Sequence, residues 1–279
     1  VFFITKIKAD YKKKDFNLCP VIMTPKVYKN HPLLQTGMFL WVFLTLIPHL
    51  SNVWNYVKLE KKQKSSFLKI LKKVYLNSAL LKQKLDWLHF GFATQAIGSE
   101  LVAEAIGAKM AVSFRGFDIN VYPLKHPNCY NLLWQQLDKV HSVSNYLFTK
   151  AQSLGLSKNL PFAIITPAVD LKAAPQINKL RSDKIQIVTI ARLSWIKGLN
   201  VAIEAMKYLS ENNIDFEYHI IGTGAIYDFE RYKFQTYEYG LKNQIKFLGK
   251  FSHQETLKLL SQSDIYLQPS LNEGFCNAV

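Results

Sequence analysis

From Leu85 onward the sequence runs twice through one alternation: a short stretch that is apolar almost throughout, then a longer one with apolar residues at helical spacing. Strands that are apolar on both sides need cover on both sides, and a parallel sheet flanked by helices supplies it. The pattern therefore predicts an α/β chain with two Rossmann-like domains. In the first series "LDWLHF", "KMAVSF", "KVHSV" and "FAIITPAVD" are predicted strands. The helices between them are "TQAIGSELVAEAIG", closed by Gly107, then "NCYNLLWQQLD", then "SNYLFTKAQSLG", capped by Ser144 or Asn145 and ended by Gly155. In the second series the strands are "IQIVTIA", "FEYHIIG", "IKFLG" and "DIYLQPS". Their helices are "NVAIEAMKYLSENN", a long segment through "YDFERYKFQTYEYG", "HQETLKLLSQS" and the start of one more in "GFCNAV".

Between the two series lies "LKAAPQINKLRSDK", polar and without period, which reads as a linker. The expected division is a first domain over 1–170, a linker over 171–184 and a second domain over 185–279. With 279 residues, 49% of them hydrophobic, the chain has enough apolar side chains for two cores. Ligands of open α/β sheets bind outside the carboxyl ends of the strands. Functional residues are therefore expected at strand ends, facing a cleft between the domains.

Charge is uneven. Residues 1–86 hold 16 lysines and no Arg against four carboxylates, a net +12 out of the chain's +15. Clusters such as Lys12 to Lys14 and the Glu60 to Lys64 run attract polyanions, or form a solvated lysine-rich surface. Nucleic acid is not expected as a partner, because Arg interleaved with stacking aromatics is missing from the basic third. The longest apolar run, residues 38–48, is too short for a bilayer, which takes roughly 20 residues. It reads as a buried helix, or as a surface helix dipping into a membrane with Trp41, Trp54 and the lysines at 58–64 among the headgroups. Cys19, Cys129 and Cys276 stand alone, without metal or disulfide spacing, which fits a reducing compartment. The chain begins at Val1 and nothing there resembles a signal peptide.

Four strand ends of the second series carry chemistry. In "ARLSWIKG", Arg192 and Lys197 lie in the loop before a helix, where two cations and a helix N-terminus suit a diphosphate. In "IIGTG", Gly222 and Gly224 would let backbone approach a ligand, or simply make a tight turn. In "FLGKF", Lys250 and Phe251 follow a strand, and Phe251 would pack on a flat base or plug the core. In "SLNEGFCNAV", Glu273 precedes Gly274, Phe275 and Cys276, whose amides would open a helix. Glu is a weak N-cap, so Glu273 suits hydrogen bonds with sugar hydroxyls better. In the first series "HFG" (His89 to Gly91) and "SFRGFDI" (with Arg115, Gly116 and Asp118) end two strands.

In this order and spacing the motifs resemble the retaining GT-B glycosyltransferases of family 4. Those enzymes show G/A-R-L-x-x-x-K-G, I-x-G-x-G, F-x-G and S-D-x-x-x-x-P-S-x-x-E-G-F-x-N-x-x-x-E. The resemblance covers roughly residues 85–279 and looks most like enzymes of bacterial exopolysaccharide, capsule or lipopolysaccharide synthesis. It implies two Rossmann-like domains facing a cleft. It assigns the donor diphosphate to Arg192 and Lys197, and the sugar to Glu273 with the amides after it. The remaining donor-site residues would be Gly222, Gly224, Lys250 and Phe251. His89, Gly91, Arg115, Gly116 and Asp118 would line the acceptor side. Arg115 stands where the family's HG-x-D element has His, and Arg cannot shuttle a proton at neutral pH. Arg115 then acts on a phosphate or an anionic acceptor, or pairs with Asp118 across the turn. "PAVD" at 167–170 corresponds to the family's hinge-side P-x-G-V-D. The family's second Glu would fall two positions beyond Val279, and a first strand with its Gly-rich loop would precede Val1. On that comparison the chain is expected to be a fragment lacking both ends.

The expected activity is transfer of a sugar from a nucleoside diphosphate sugar to a glycan or lipid-linked acceptor, with retention at the anomeric carbon. No D-x-D element is present, and no cofactor or metal is expected, since the cations take the metal's part. The expected place is the cytoplasm, peripheral at the inner face of the plasma membrane through the Lys-rich first third. The alternatives are a GT-B nucleotide-sugar epimerase and a basic membrane-binding module without catalysis.

Overall fold

The computed structural model describes residues 3–5, 21–28, 30–168, 183–276 and 278. The chain divides into two compact units, Val1–Thr166 and Pro167–Val279. Residues 169–182, most of the expected linker and the end of "PAVD", lie outside the described residues, as do Lys12 to Lys14 and Cys19.

In the first unit β1 (Phe3–Thr5) and β2 (Val21–Met23) form a parallel pair. Three helices follow, α1 (Pro32–Leu44), α2 (Leu50–Lys62) and α3 (Phe67–Leu81), with a 3-10 turn at Ile47–His49 between the first two. The main sheet is β3 (Trp87–Phe90), β4 (Lys109–Phe114), β5 (Lys139–Ser142) and β6 (Phe162–Ile164), parallel and in chain order. Short helices join them: α4 (Ala93–Ala96), α5 (Val102–Ile106), α6 (Phe117–Asn120), α7 (Tyr122–Lys125) and α8 (Asn131–Gln136), then α9 (Asn145–Ser153). Ser144 caps α9, its hydroxyl accepting from Leu147 N, and Gly155 follows at φ +101°. Met110, Val112, Phe114 and Val140 put the sheet's contribution into one buried core with Leu133 and Leu147.

Two expectations for this unit change. The helix predicted through "TQAIGSELVAEAIG" is broken into α4 and α5. Gly98 turns at φ +86°, its carbonyl accepts from Asn77 Nδ2 and its N–H donates to Glu100. A continuous helix would need both groups for its own ladder. The apolar run at 38–48 is not a buried helix either: Val42 is the buried residue of α1, while Leu40 is 61% and Trp41 62% exposed.

The second unit is built from β7 (Ile185–Ile190), α10 (Leu199–Glu211), β8 (Phe216–Ile221), α11 (Ile226–Glu238), β9 (Ile245–Gly249), α12 (His253–Gln262) and β10 (Ile265–Tyr266). All strand pairs are parallel, in the order β10-β7-β8-β9. The core between sheet and helices holds Ile187, Leu199, Ile203, Phe216, Tyr218 and Ile220. Inside it the Thr189 hydroxyl donates to Leu267 O and accepts from Tyr218 OH, both at 2.7 Å, tying β7 to β8 and to the residue after β10. Ser252 and Glu255 close a full capping box on α12. Gly274, Phe275 and Cys276 do not open a helix as expected.

Candidate active site

The order of the second sheet positions the site. The chain lays β8 and β9 on one side of β7, then returns to set β10 on the other. The strand order thus reverses between β7 and β10, the place where open α/β sheets form a ligand crevice outside their carboxyl ends.

Close backbone approach shapes that crevice. A Cβ on Gly222, at φ +139°, would lie 1.9 Å from Ala191 O. One on Gly224 would lie 2.0 Å from Leu193 O. These glycines admit the 191–193 backbone, held by Leu193 N donating to Thr223 O at 3.0 Å. That corrects the expectation that both serve ligand approach: Gly222 lines the pocket, whereas Gly224 is taken up by the loop-to-loop contact. Gly198 works similarly after the 3-10 turn Trp195–Lys197. At φ +63° it passes so near Pro269 O that a Cβ would sit at 2.0 Å, and Leu271 N donates to Ile196 O at 2.9 Å. The loop before α10 is thus laid on the segment after β10.

Side chains meet as a result. Lys197 Nζ stands 2.5 Å from Glu273 Oε1, with the two side chains 19% and 26% exposed. Gln268 Nε2 donates to the same carboxylate oxygen at 3.2 Å and to Ser270 Oγ at 2.6 Å, while Tyr266 OH donates to Gln268 Oε1. Burial, then the neighbouring Cys276 and Glu273, push the Tyr266 hydroxyl up to about 12, so it stays a donor. The chain Tyr266–Gln268–Glu273–Lys197 fixes the carboxylate with one oxygen committed.

Around this chain is a pocket of about 450 Å³. Arg192, Lys197, Lys250 and Glu273 line it, with Gly222, Phe251, Phe275 and Cys276. Gly274 is not among its walls. Among the described residues Arg192 and Lys250 have no carboxylate partner, so two uncommitted cations face the pocket beside one neutralised pair. α10 begins just after Lys197, adding the positive end of its peptide dipoles. The arrangement suits a multiply charged anion at Arg192 and Lys250 and a hydroxyl-rich group at Glu273. Thr256 and Gln268 also line the pocket and were not anticipated. Gln268 had a signal, a polar residue closing an apolar strand; Thr256, inside α12, had none.

In the first unit the expected residues gather at the ends of β3 and β4. Asp118 is fully buried and accepts from Ala93 N at 3.2 Å, Arg115 N at 3.1 Å and Gly116 N at 2.9 Å. Burial pushes its pKa up and those N–H groups pull it back. It clamps two strand-end loops and offers nothing outward. The Arg115 side chain does not pair with it. Instead Nε donates to Gly91 O at 3.1 Å and the guanidinium lies over the Phe92 ring at 5.6 Å.

His89 belongs to a chain that sequence reasoning missed. Its Nε2 is 2.9 Å from Ser113 Oγ, which is 2.9 Å from His141 Nδ1, and His141 Nε2 is 3.0 Å from Ile165 O. A carbonyl only accepts, so His141 Nε2 carries hydrogen. In the neutral ring Nδ1 then accepts from Ser113, and Ser113 accepts from His89 Nε2–H. His89 Nδ1 is left as an open lone pair. Burial, His141 and Arg115, in that order, hold the His89 pKa below the usual value. The signal was a His near the end of each of two strands, "WLHF" and "KVHSV", with Ser113 of the strand between them facing both. Among the described residues no three His, Cys, Asp or Glu converge as a metal cluster.

Residues 170–279 match the family model described as glycosyl transferases group 1. Over 229 residues, 80% of this chain and 55% of the relative, the sequence is 27% identical to the putative colanic acid biosynthesis glycosyltransferase WcaL of Escherichia coli K12. It is 29% identical to the amylovoran biosynthesis glycosyltransferase AmsK of Erwinia amylovora, over 66% of this chain and 45% of that one. The chain thus spans about half the length of these relatives. The fold is similar to that of Anabaena Alr3699/HepE, solved in complex with UDP and glucose, with a TM-score of 0.62 at 13% identity. That match covers 96% of this chain and 66% of that one.

Proposed function

We propose that this chain, whose residues 170–279 belong to the group 1 glycosyltransferases, binds a nucleoside diphosphate sugar in the second-unit pocket and passes the sugar to an acceptor hydroxyl. One observation carries the reading: Arg192, Lys197, Lys250 and Glu273 converge on one pocket at the point where the strand order reverses. The diphosphate lies against Arg192 and Lys250, with Lys197 drawn toward it. The base packs at Phe251. The sugar hydroxyls meet the Glu273 carboxylate, whose aim Gln268 fixes.

The bond from the anomeric carbon to the diphosphate oxygen breaks and one to the acceptor oxygen forms. The acceptor proton leaves with the diphosphate. Fixed cations stabilise the charge as it builds, which is where preorganised electrostatics contribute most. The substitution retains configuration, and these side chains replace a metal. His89, with its open Nδ1, and Arg115 serve the acceptor. That HepE was solved with UDP and glucose supports the donor class. The names of WcaL and AmsK support a cell-surface polysaccharide, built on a glycan or lipid-linked acceptor in the cytoplasm at the inner membrane face.

The test is a transfer assay with a panel of sugar nucleotides, with and without EDTA, and NMR of the new anomeric centre. Retained configuration and full activity in EDTA are expected. Inversion, or epimerisation of the sugar nucleotide without transfer, would refute the reading.

A further inference from the structure

We infer that the outward face of α1, the Ile47–His49 turn and α2 is a docking surface for an anionic phospholipid membrane. Leu33, Leu40, Trp41 and Leu44 lie along one stripe of α1 and are all exposed. Ile47, Leu50 and Trp54 extend the stripe through the turn into α2, also exposed. A soluble surface rarely presents so much contiguous apolar area without a partner. The opposite side of the same helices is anchored. Val42, Leu46 and Tyr56 are buried in the core, and Phe39 stacks on Phe43 and Tyr75 at 4.5 and 5.5 Å.

Charge selects the occupant. Residues 32–81 contain seven lysines and one acid, Glu60. Glu60 is buried and bound to Lys73 at 2.6 Å, with Ser65 and Tyr56 on its oxygens, so it contributes no negative charge outside. Lys58, Lys61, Lys62 and Lys64 are exposed directly after the stripe, and Lys58 stands 5.5 Å over the Trp54 ring. Tryptophans between an apolar stripe and lysines are the composition of a helix lying in the headgroup region. A second copy of the chain would bring these lysines against their own kind, which disfavours it.

The geometry places the pair on the bilayer, not through it. No single helix among the described residues is long and apolar enough to cross; Pro32–Leu44 and Ile47–Lys62 reach that length and composition only together, bent by 52°, and Val42, Leu46 and Tyr56 pack the pair into the core of the first unit. A 13-residue α1 is about 20 Å long, against a hydrocarbon core of about 30 Å. This inference is independent of the donor pocket, since vesicle binding requires no nucleotide.

The experiment is flotation of the protein with vesicles of phosphatidylcholine alone and of phosphatidylcholine mixed with phosphatidylglycerol, at low and high salt. Trp41→Ser/Leu44→Ser and Lys58→Gln/Lys61→Gln/Lys62→Gln are run alongside, with thermal unfolding confirming that each variant folds. Binding to the anionic vesicles is expected, with loss in the first variant. In the second, binding should weaken on the order of a hundredfold, roughly fivefold per lysine. No flotation with anionic vesicles, or equal flotation by Trp41→Ser/Leu44→Ser, would overturn the inference. So would a concentration-dependent dimer in sedimentation that the same variant abolishes, since the face would then belong to a second copy.

Discussion

Lys197 and Glu273 stand 76 positions apart in the chain and meet at 2.5 Å in the wall of one pocket. The ammonium is held by the carboxylate, so an arriving diphosphate competes with Glu273 for it. Glu273→Gln should therefore tighten binding of a bare nucleoside diphosphate by about 2- to 5-fold, the scale of a partly solvated ion pair. The same change should weaken binding of the sugar nucleotide relative to the diphosphate. Calorimetry on both ligands checks it; shifts of the same sign and size would separate Glu273 from the sugar.

Gly222→Ala should unfold the second unit early. Its Cβ would fall 1.9 Å from Ala191 O at φ +139°, so strain and clash together should cost at least about 3 kcal/mol. Gly240→Ala is the control: φ is +69° but nothing lies within 4 Å, so about 1 kcal/mol is expected. Thermal and urea unfolding measure both. Equal losses would mean that the close approach of the two loops is not what Gly222 provides.

The His89 chain predicts a pH response. Its folded pKa is depressed, so the unfolded chain binds more protons as pH falls below the ordinary 6.5. Stability tied to the neutral ring is complete above that value and declines as pH drops toward the folded pKa. Nitrogen-15 NMR should find both rings carrying hydrogen on Nε2 at neutral pH. Arg115→Gln should raise the His89 pKa, because one of the depressing charges is gone. A pKa that stays put would remove Arg115 from its surroundings.

Much of the second unit was legible because its strands and helices each obey one period. β7, α10, β8, α11 and β9 lie where the apolar runs put them. Arg192, Lys197, Glu273 and Phe251 were singled out at strand ends and by the family resemblance, and all four line one pocket. What was illegible depends on contacts across the chain. The break at Gly98 needs Asn77, 21 residues away, to take its carbonyl. Gly224 looked like ligand space until Leu193 O was found against it. The apolar run of α1 reads the same whether it faces a core or solvent; only the packing of its other side on α3 decides. Gln268 was read as the end of a strand; its polarity there was a signal, but its bond to Glu273, five positions on, was not legible.

The most direct measurement is calorimetric titration of the protein with UDP, GDP and ADP, beside Arg192→Ala and Lys250→Ala. One diphosphate should bind one-to-one, weakening with salt, and each variant should lose roughly tenfold or more, the scale of a charge-assisted hydrogen bond. Failure of all three to bind, or binding that neither variant alters, would contradict the account.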